Sequence, residues 1–366
     1  MHVRVVGMLL VVFGAGASYD SAPDFWPPSG SPPEEDRLPL ANGLFDLRPI
    51  FVEAADRFPD CKAVLPRLRA KGVSVEAELA KIREEGANWT PALQELAAVQ
   101  YYLHVALWRC EGAWQNRHHG VTNYVALLRE IRKWRDASSE GVCFVTFNYD
   151  RMLEHAMQRV LKLEPRTLDV YAHKDYTLIK LHGSVDWGRE IEGIGDPRAF
   201  HTYPIERLIS DVANLKLSSR YRVVSTPPMW SEGDSLVFPA LSIPLERKDE
   251  FNCPDEHVQR LEQLLPEVTR ILTIGWRGAE HRFKSMLRHG LKDMPKLMIV
   301  SGSNEDALVT AKAFGLGKRG EVLGAEPFVN PHYVPINSGF TNLVLNERAQ
   351  LEEFLRTGFL LGGQRG

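Results

Sequence analysis

Cysteine is scarce in this chain. The four present among 366 residues, Cys61, Cys110, Cys143 and Cys253, lie far apart and form no CxxC pair, which excludes the usual spacing of a structural zinc site or a thiol-exchange motif. Reduced thiols in a cytoplasmic chain are the simplest reading. Cys143 stands in an apolar, strand-like run, where a thiol behaves as a small buried hydrophobe, and it is given no catalytic role. Charge of one sign is lacking as well. Lys and Arg number 44 against 47 Asp and Glu, a formal balance of -3, so there is no broad positive field for unspecific grip on nucleic acid or an acidic membrane. Repeats and heptad arrays are absent.

What remains is the composition of a globular enzyme, with 44% hydrophobic and 25% charged residues. The length fits two compact units, or one α/β domain carrying a helical insertion. At the start, His2 and Arg4, an apolar run and the small residues Ala15-Gly16-Ala17 imitate a secretory signal. The run is too short to span a bilayer. Its other reading is a buried first strand, Met8 to Phe13, running into the glycine turn Gly14-Ala15-Gly16-Ala17-Ser18. That reading is preferred, because cleavage would remove the segment that best matches the rest of the chain.

A proline-rich acidic stretch follows, from Pro27 to Pro39, and can only be a loop, with a lid as one use for it. From about Asp60 to Asp136 the spacing is helical: Ser74 can cap a helix over 75–85, Thr90-Pro91 opens one through Arg109, and Asn123 to Arg135 carries Leu127, Leu128, Ile131 and Trp134 on one side. The second half returns to short apolar runs. Val142 to Phe147 leads into Asn148-Tyr149-Asp150, Thr177 to Leu181 into His182-Gly183-Ser184, Arg270 to Ile274 into Gly275-Trp276, and Lys296 to Val300 into Ser301-Gly302-Ser303-Asn304. With the run before Gly14, these five segments lack strict alternation, as expected of parallel strands buried on both faces and joined by helical crossovers. Ligands of such sheets lie beyond the carboxyl ends of the strands, where the polar residues would converge. Each cluster by itself could be ordinary turn chemistry. The chain thus divides into 1–59 (first strand, glycine turn and proline-rich loop), a helical insertion over 60–136, the remainder of the sheet domain over 137–305, and a C-terminal extension and candidate interface over 306–366.

The glycine turn after a strand suits close approach to a pyrophosphate. The GxGxxG fingerprint is incomplete, with Tyr19 at its third glycine, and no strand ending in an acid follows about 20 residues on, so a hydride-transferring dehydrogenase is disfavoured. Asn148 can orient a ribose hydroxyl or a water, Asp150 can accept hydrogen bonds from a ribose or carboxamide, and His182 can take a proton near neutral pH. Equally, Asn148 or Asp150 could cap the next helix and His182 could be a turn residue. The adjacent His118 and His119 cannot share one face of a helix as metal ligands, and no metal is expected. Tyr101, Tyr102, Trp108 and Trp114 fall on helical segments and read as packing, and Arg129, Arg132, Lys133 and Arg135 as a solvated basic turn.

Taken in order, Gly14-Ala15-Gly16-Ala17-Ser18, Thr146-Phe147-Asn148-Tyr149-Asp150 and Leu181-His182-Gly183-Ser184, with Ile274-Gly275-Trp276 and Ile299 to Asn304, resemble the prokaryotic sirtuin-like NADase domain. The resemblance covers nearly the whole chain, with weak matching in the helical insertion and after about residue 305. It implies a Rossmann-like parallel sheet with helices on both faces and, there being no CxxC pairs, no zinc ribbon of the kind deacylating sirtuins carry. It implies that Asn148 stands beside the nicotinamide ribose, that His182 acts as base or ribose-orienting group, and that Asp150 lies near the nicotinamide end. Gly14, Ala15, Gly16 and Ser18 match the phosphate loop, and Gly275, Ser301, Gly302 and Asn304 are candidates around the phosphates and adenosine ribose.

The activity so implied is NAD glycohydrolysis, giving nicotinamide and ADP-ribose, in the NAD-depleting effector of a bacterial anti-phage system. NAD is then the substrate. Control by self-assembly into a homo-oligomer, by a HerA-type ATPase or Argonaute-like partner, or by a nucleotide signal is expected, without direct sequence-specific nucleic-acid binding or a membrane. The competing readings are a nonhydrolytic NAD- or nucleotide-binding regulatory subunit, and a deacylase or ADP-ribosyltransferase.

Overall fold

The computed structural model describes residues 7–22, 35–164, 168–171, 173–193, 205–224, 231–232, 235–244, 251–317, 322–323 and 327–359. The prolines from Pro27 to Pro33, expected in a loop with a lid as one use, fall outside them. Strand β1 (Met8–Phe13) is buried at every position. Because successive side chains of a strand point to opposite faces, burial without alternation means both faces are covered. The same holds for β2 (Gly141–Thr146) and β3 (Tyr176–Lys180).

Between β1 and β2 the chain is helical: α1 (Ala15–Tyr19), α2 (Pro49–Asp56), α3 (Pro59–Leu68), α4 (Val75–Gly86), α5 (Thr90–Arg117) and α6 (Asn123–Ser138). Ser74 caps α4 through its hydroxyl, which accepts from Ala77 N at 3.3 Å. Pro91 opens α5 where a missing N–H costs nothing, and the helix continues past the expected Arg109 to Arg117. Its apolar residues are buried nearly all round, so no polar face marks an end there.

After β2 and α7 (Met152–Leu161), strand β3 passes almost at once into β4 (Gly183–Glu192). Strands β4, β5 (Lys216–Val223), β6 (Ser231–Glu232) and β7 (Ser235–Leu241) form a second, antiparallel sheet in the order β5-β4-β7-β6, which the sequence analysis did not anticipate. Gly183 makes the joint: at φ +79° its backbone comes so near β7 that a Cβ would lie 1.9 Å from the Ala240 carbonyl oxygen. Helix α8 (Ile205–Ser210) lies between β4 and β5.

The chain then returns to the first sheet through α9 (Asp255–Leu264), β8 (Val268–Ile274), α10 (His281–Gly290), β9 (Lys296–Val300) and α11 (Asn304–Ala313). Residues 306–366, expected as an extension, supply a sixth strand, β10 (Val334–Ile336), followed by α12 (Gly339–Leu345) and α13 (Arg348–Thr357). Three residues with a central proline give little signal in sequence, and the strand sits at the sheet edge, where a missing donor is tolerated.

All pairings in the six-stranded sheet are parallel, in the order β10-β9-β8-β1-β2-β3. Successive strands run outward from β1 on one side and from β8 on the other, which is the Rossmann order with its reversal between β1 and β8. The strand ends are level. Lys180, Thr146, Phe13, Ile274, Val300 and Ile336 form one row of paired residues across the sheet.

Just beyond that row, the turns after β1 and β8 touch. A Cβ on Gly275, whose φ is +61°, would lie 2.3 Å from Ala17 N, whereas one on Gly302 would meet nothing within 4 Å. Gly275→Ala should therefore cost at least about 2 kcal/mol of stability in urea unfolding. Gly302→Ala should leave the midpoint unchanged; equal midpoints for both variants would contradict the assignment of that contact.

Candidate active site

A cleft of about 380 Å³ opens beyond the carboxyl ends of β1 and β8, at the point where the strand order reverses. Its walls come from four strand ends: Gly14, Ala15, Gly16 and Ser18 after β1, Phe147 to Asp150 after β2, Gly275 to Arg277 after β8, and Ser301 and Gly302 after β9. Leu38 and Pro39, the end of the proline-rich stretch, and Leu40 just after it close one side together with Phe340 of α12.

The glycine turn is held by its own amides. Gly14 N donates to Ile274 O at 3.0 Å and Gly16 N to Gly275 O at 3.2 Å. Asn148 completes the junction from the neighbouring strand end. Its Nδ2 donates to Gly14 O and to Ser18 Oγ, both at 2.9 Å, with Tyr124 OH at 3.3 Å, and Ser18 Oγ and Tyr124 OH are 2.9 Å apart. With the amide nitrogen committed to the chain, the group that Asn148 can offer a ligand is its Oδ1, an acceptor suited to a hydroxyl. Burial raises the Tyr124 phenol well above its usual range, so it serves this junction as a neutral hydroxyl.

Asp150 is 8% exposed and its Oδ1 accepts from the N–H of Met152, the first residue of α7, at 3.1 Å. Burial raises its carboxyl to about 6, against the attraction of Lys180. Behind it lies a cluster that shares this character. Asp186 on β4 is also raised to about 6, by burial and then by the charge of Glu154. Burial works against the Glu111 carboxylate on α5 too, but His155 and Arg151 outweigh it and hold it below the usual range. His155 Nε2 is 2.8 Å from Glu111 Oε1, and Arg151 NH2 is 3.1 Å from the same oxygen while its guanidinium covers the Trp108 ring.

Of the residues singled out in the sequence, Gly14, Ala15, Gly16, Ser18, Asn148, Asp150, Gly275, Ser301 and Gly302 line this one cleft. His182 and Asn304 are placed differently. His182 is 1% exposed and packs against Phe147 and Tyr149, with ring centres 4.9 and 6.5 Å away; those two rings line the cleft and His182 does not. Asn304 opens α11 on the exposed side, hydrogen-bonded to Asn337.

Several wall and supporting residues escaped the sequence analysis. Trp276 lines the cleft with its Nε1 2.6 Å from Glu280 Oε2, and Arg277, the one cation among the described lining residues, pairs with Asp306 at 2.7 Å. Arg277 directly follows the Gly275-Trp276 strand end, so its position in the chain was the available signal. Tyr124 comes from α6, far away in sequence, and no local pattern marks it.

Among the described residues no group of three or more His, Cys, Asp or Glu is placed to hold a metal ion, and no helix is long and apolar enough to cross a membrane. All four cysteines are free and buried, each thiol pushed up to about 12 chiefly by that burial.

No family model and no curated protein matches the chain. Among solved structures it is similar to Sir2 in complex with the inhibitor EX-527, 2'-O-acetyl-ADP-ribose and a deacetylated p53 peptide, at 15% identity over 95% of this chain and 94% of the other, with a TM-score of 0.36. A mutant Sir2 homologue in complex with 2'-O-acetyl ADP ribose is 12% identical over 98% and 95%, with a TM-score of 0.41. A Sir2–p53 peptide–NAD+ structure is 14% identical over 94% and 93%, with a TM-score of 0.37. Likeness at this level carries no weight for what the chain does; the strand order and the cleft walls stand on their own.

Proposed function

We propose that this cleft binds NAD and hydrolyses its nicotinamide–ribose bond, releasing nicotinamide and ADP-ribose. The observation that carries the reading is the meeting of Asn148 and Asp150 with the Gly14–Ser18 turn at the reversal point of a parallel sheet in Rossmann order. The dinucleotide's phosphates would lie against the glycine turn and Ser301-Gly302, with Arg277 as the available cation.

As nicotinamide leaves, positive charge develops on the ribose. An ionised Asp150 in a buried wall favours that charge, and Asn148 Oδ1 holds a ribose hydroxyl in place. Binding of the remote phosphates and adenosine supplies the energy for orientation. His182 removes a proton from a ribose hydroxyl or the attacking water, which requires Phe147 or Tyr149 to give way. An anti-phage role as an NAD-depleting effector, held in check by self-assembly or by a HerA-type ATPase or Argonaute-like partner, rests on the sequence resemblance alone.

A second reading is favoured by the burial of His182 behind two rings: a module that binds NAD and regulates an assembly without cleaving it. Product analysis separates the two. Purified protein incubated with NAD should yield nicotinamide and ADP-ribose in equal amounts, and NAD bound but intact would favour the module. Asn148→Ala should lower turnover by at least about 100-fold through lost orientation. His182→Ala should lower it by about 100- to 10,000-fold while ADP-ribose binding persists; an unchanged rate would remove His182 from the reaction.

The pH dependence follows from Asp150. Its carboxyl takes up a proton as pH falls through about 6, so turnover should fall on the same limb. A raised folded-state value means that the protonated form is the one folding favours, so Asp150 adds stability at low pH and loses that contribution as pH rises through about 6. Asp150→Asn should therefore abolish the limb and raise the unfolding midpoint at pH 7.5, and a lowered midpoint would contradict this account of its environment.

A further inference from the structure

Lys180 ends β3 and is fully buried. It is the one charged side chain in the run Thr177-Leu178-Ile179-Lys180-Leu181. For a covered strand an apolar residue there would be the cheaper choice, because a buried ion pair is seldom worth more to stability than well-packed hydrocarbon. Its ammonium has defined partners. Nζ lies 2.5 Å from the carbonyl oxygen of Asp150 and 2.7 Å from Glu154 Oε1, and Glu154 Oε1 also accepts from Tyr171 OH at 3.3 Å.

We propose that Lys180 is a positioning residue of the cleft, fastening the Asn148–Asp150 turn through the Asp150 carbonyl and setting a positive charge behind the Asp150 carboxyl. This deepens the NAD reading and rests on it for its enzymatic consequence.

A count of charges explains why one lysine matters. The polar and titratable groups around Asp150 and its partners are Ser18 on α1, Cys110 and Glu111 on α5, Tyr124 on α6, Arg151, Glu154 and His155 at and in α7, Lys180 on β3 and Asp186 on β4. Four carboxyls, Asp150, Glu111, Glu154 and Asp186, thus stand with two basic side chains of Arg and Lys, Arg151 and Lys180. Arg151 is spent on Glu111 and stands 4.0 Å from Asp186. Lys180 is the largest influence lowering Asp150 against its burial. Without it, the burial of Asp150 would meet less opposition and its carboxyl would rise further, toward a neutral acid facing the ribose in place of a carboxylate.

The test uses the full chain. Lys180→Met alone would leave Glu154 buried without its cation, so the informative variant is Lys180→Met with Glu154→Gln, which removes both charges and keeps an acceptor for Tyr171. Lys180→Arg retains the cation. The readouts are the pH profile of NAD turnover and the titration of the Asp150 carboxyl carbon by NMR, assigned with Asp150→Asn. In the double variant the carboxyl midpoint and the acid limb should both move up by about one to three pH units. Lys180→Arg should keep both near 6. A carboxyl midpoint unmoved in the folded double variant overturns the proposal whatever the enzyme does. If the midpoint moves but neither the native chain nor any variant consumes NAD, the role of Lys180 toward Asp150 stands and the NAD reading falls.

Discussion

The backbone of the turn after β1 lies directly on that of the turn after β8, with Gly14 and Gly16 on one side and Gly275 on the other. A Cβ on any of them would come within 2.4, 2.8 or 2.3 Å, respectively, of opposing backbone atoms. Real side chains do not approach that closely, so the contact exists only because all three positions lack one. It joins the two halves of the sheet at the place where the strand order reverses, and the crevice opens just beyond it. The nitrogen of Asn148 then ties the β2 end to the same turn, so one junction sets the distance between the glycine-turn wall and the Asn148–Asp150 wall of the cleft.

Around this rigid junction the interior carries more carboxyls than cations. A protein that needed only to fold would gain by replacing such a group with apolar side chains. Burial first, and then the charge of Glu111, raise the Asp150 carboxyl to about 6 against the attraction of Lys180, which under the proposed function lets it respond to pH. Burial at the wall supplies the low-polarity surroundings in which a single negative charge acts strongly on a developing positive one. Under the proposed function, stability and chemistry would oppose each other at this residue.

Much of this architecture was legible in the sequence. Five of the six parallel strands announce themselves as unalternating apolar runs, and small or polar residues after β1, β2, β8 and β9 do meet in one cleft. The sixth strand, Val334–Ile336, is too short and too proline-marked to read. The antiparallel sheet of β4 to β7 was missed because its joint is a single positive-φ glycine three residues past the end of β3, which reads equally well as an ordinary turn. A strand-end pattern also says which residues lie at the rim without saying where their side chains point. Asn148 faces the cleft, whereas His182, at the next strand end, turns its ring against Phe147. Lys180 and Tyr124 were invisible for another reason: each acts through partners distant in the chain, and only packing brings them together.

The central proposal is that the phosphates of NAD lie against the Gly14–Ser18 turn with its nicotinamide ribose at Asn148, and a crystal structure of the His182→Ala variant with NAD tests it most directly. The account predicts the pyrophosphate against the Gly14–Ser18 turn and the nicotinamide ribose within hydrogen-bond distance of Asn148 Oδ1. A dinucleotide bound elsewhere, or bound in this cleft with its adenosine ribose at Asn148, would contradict it.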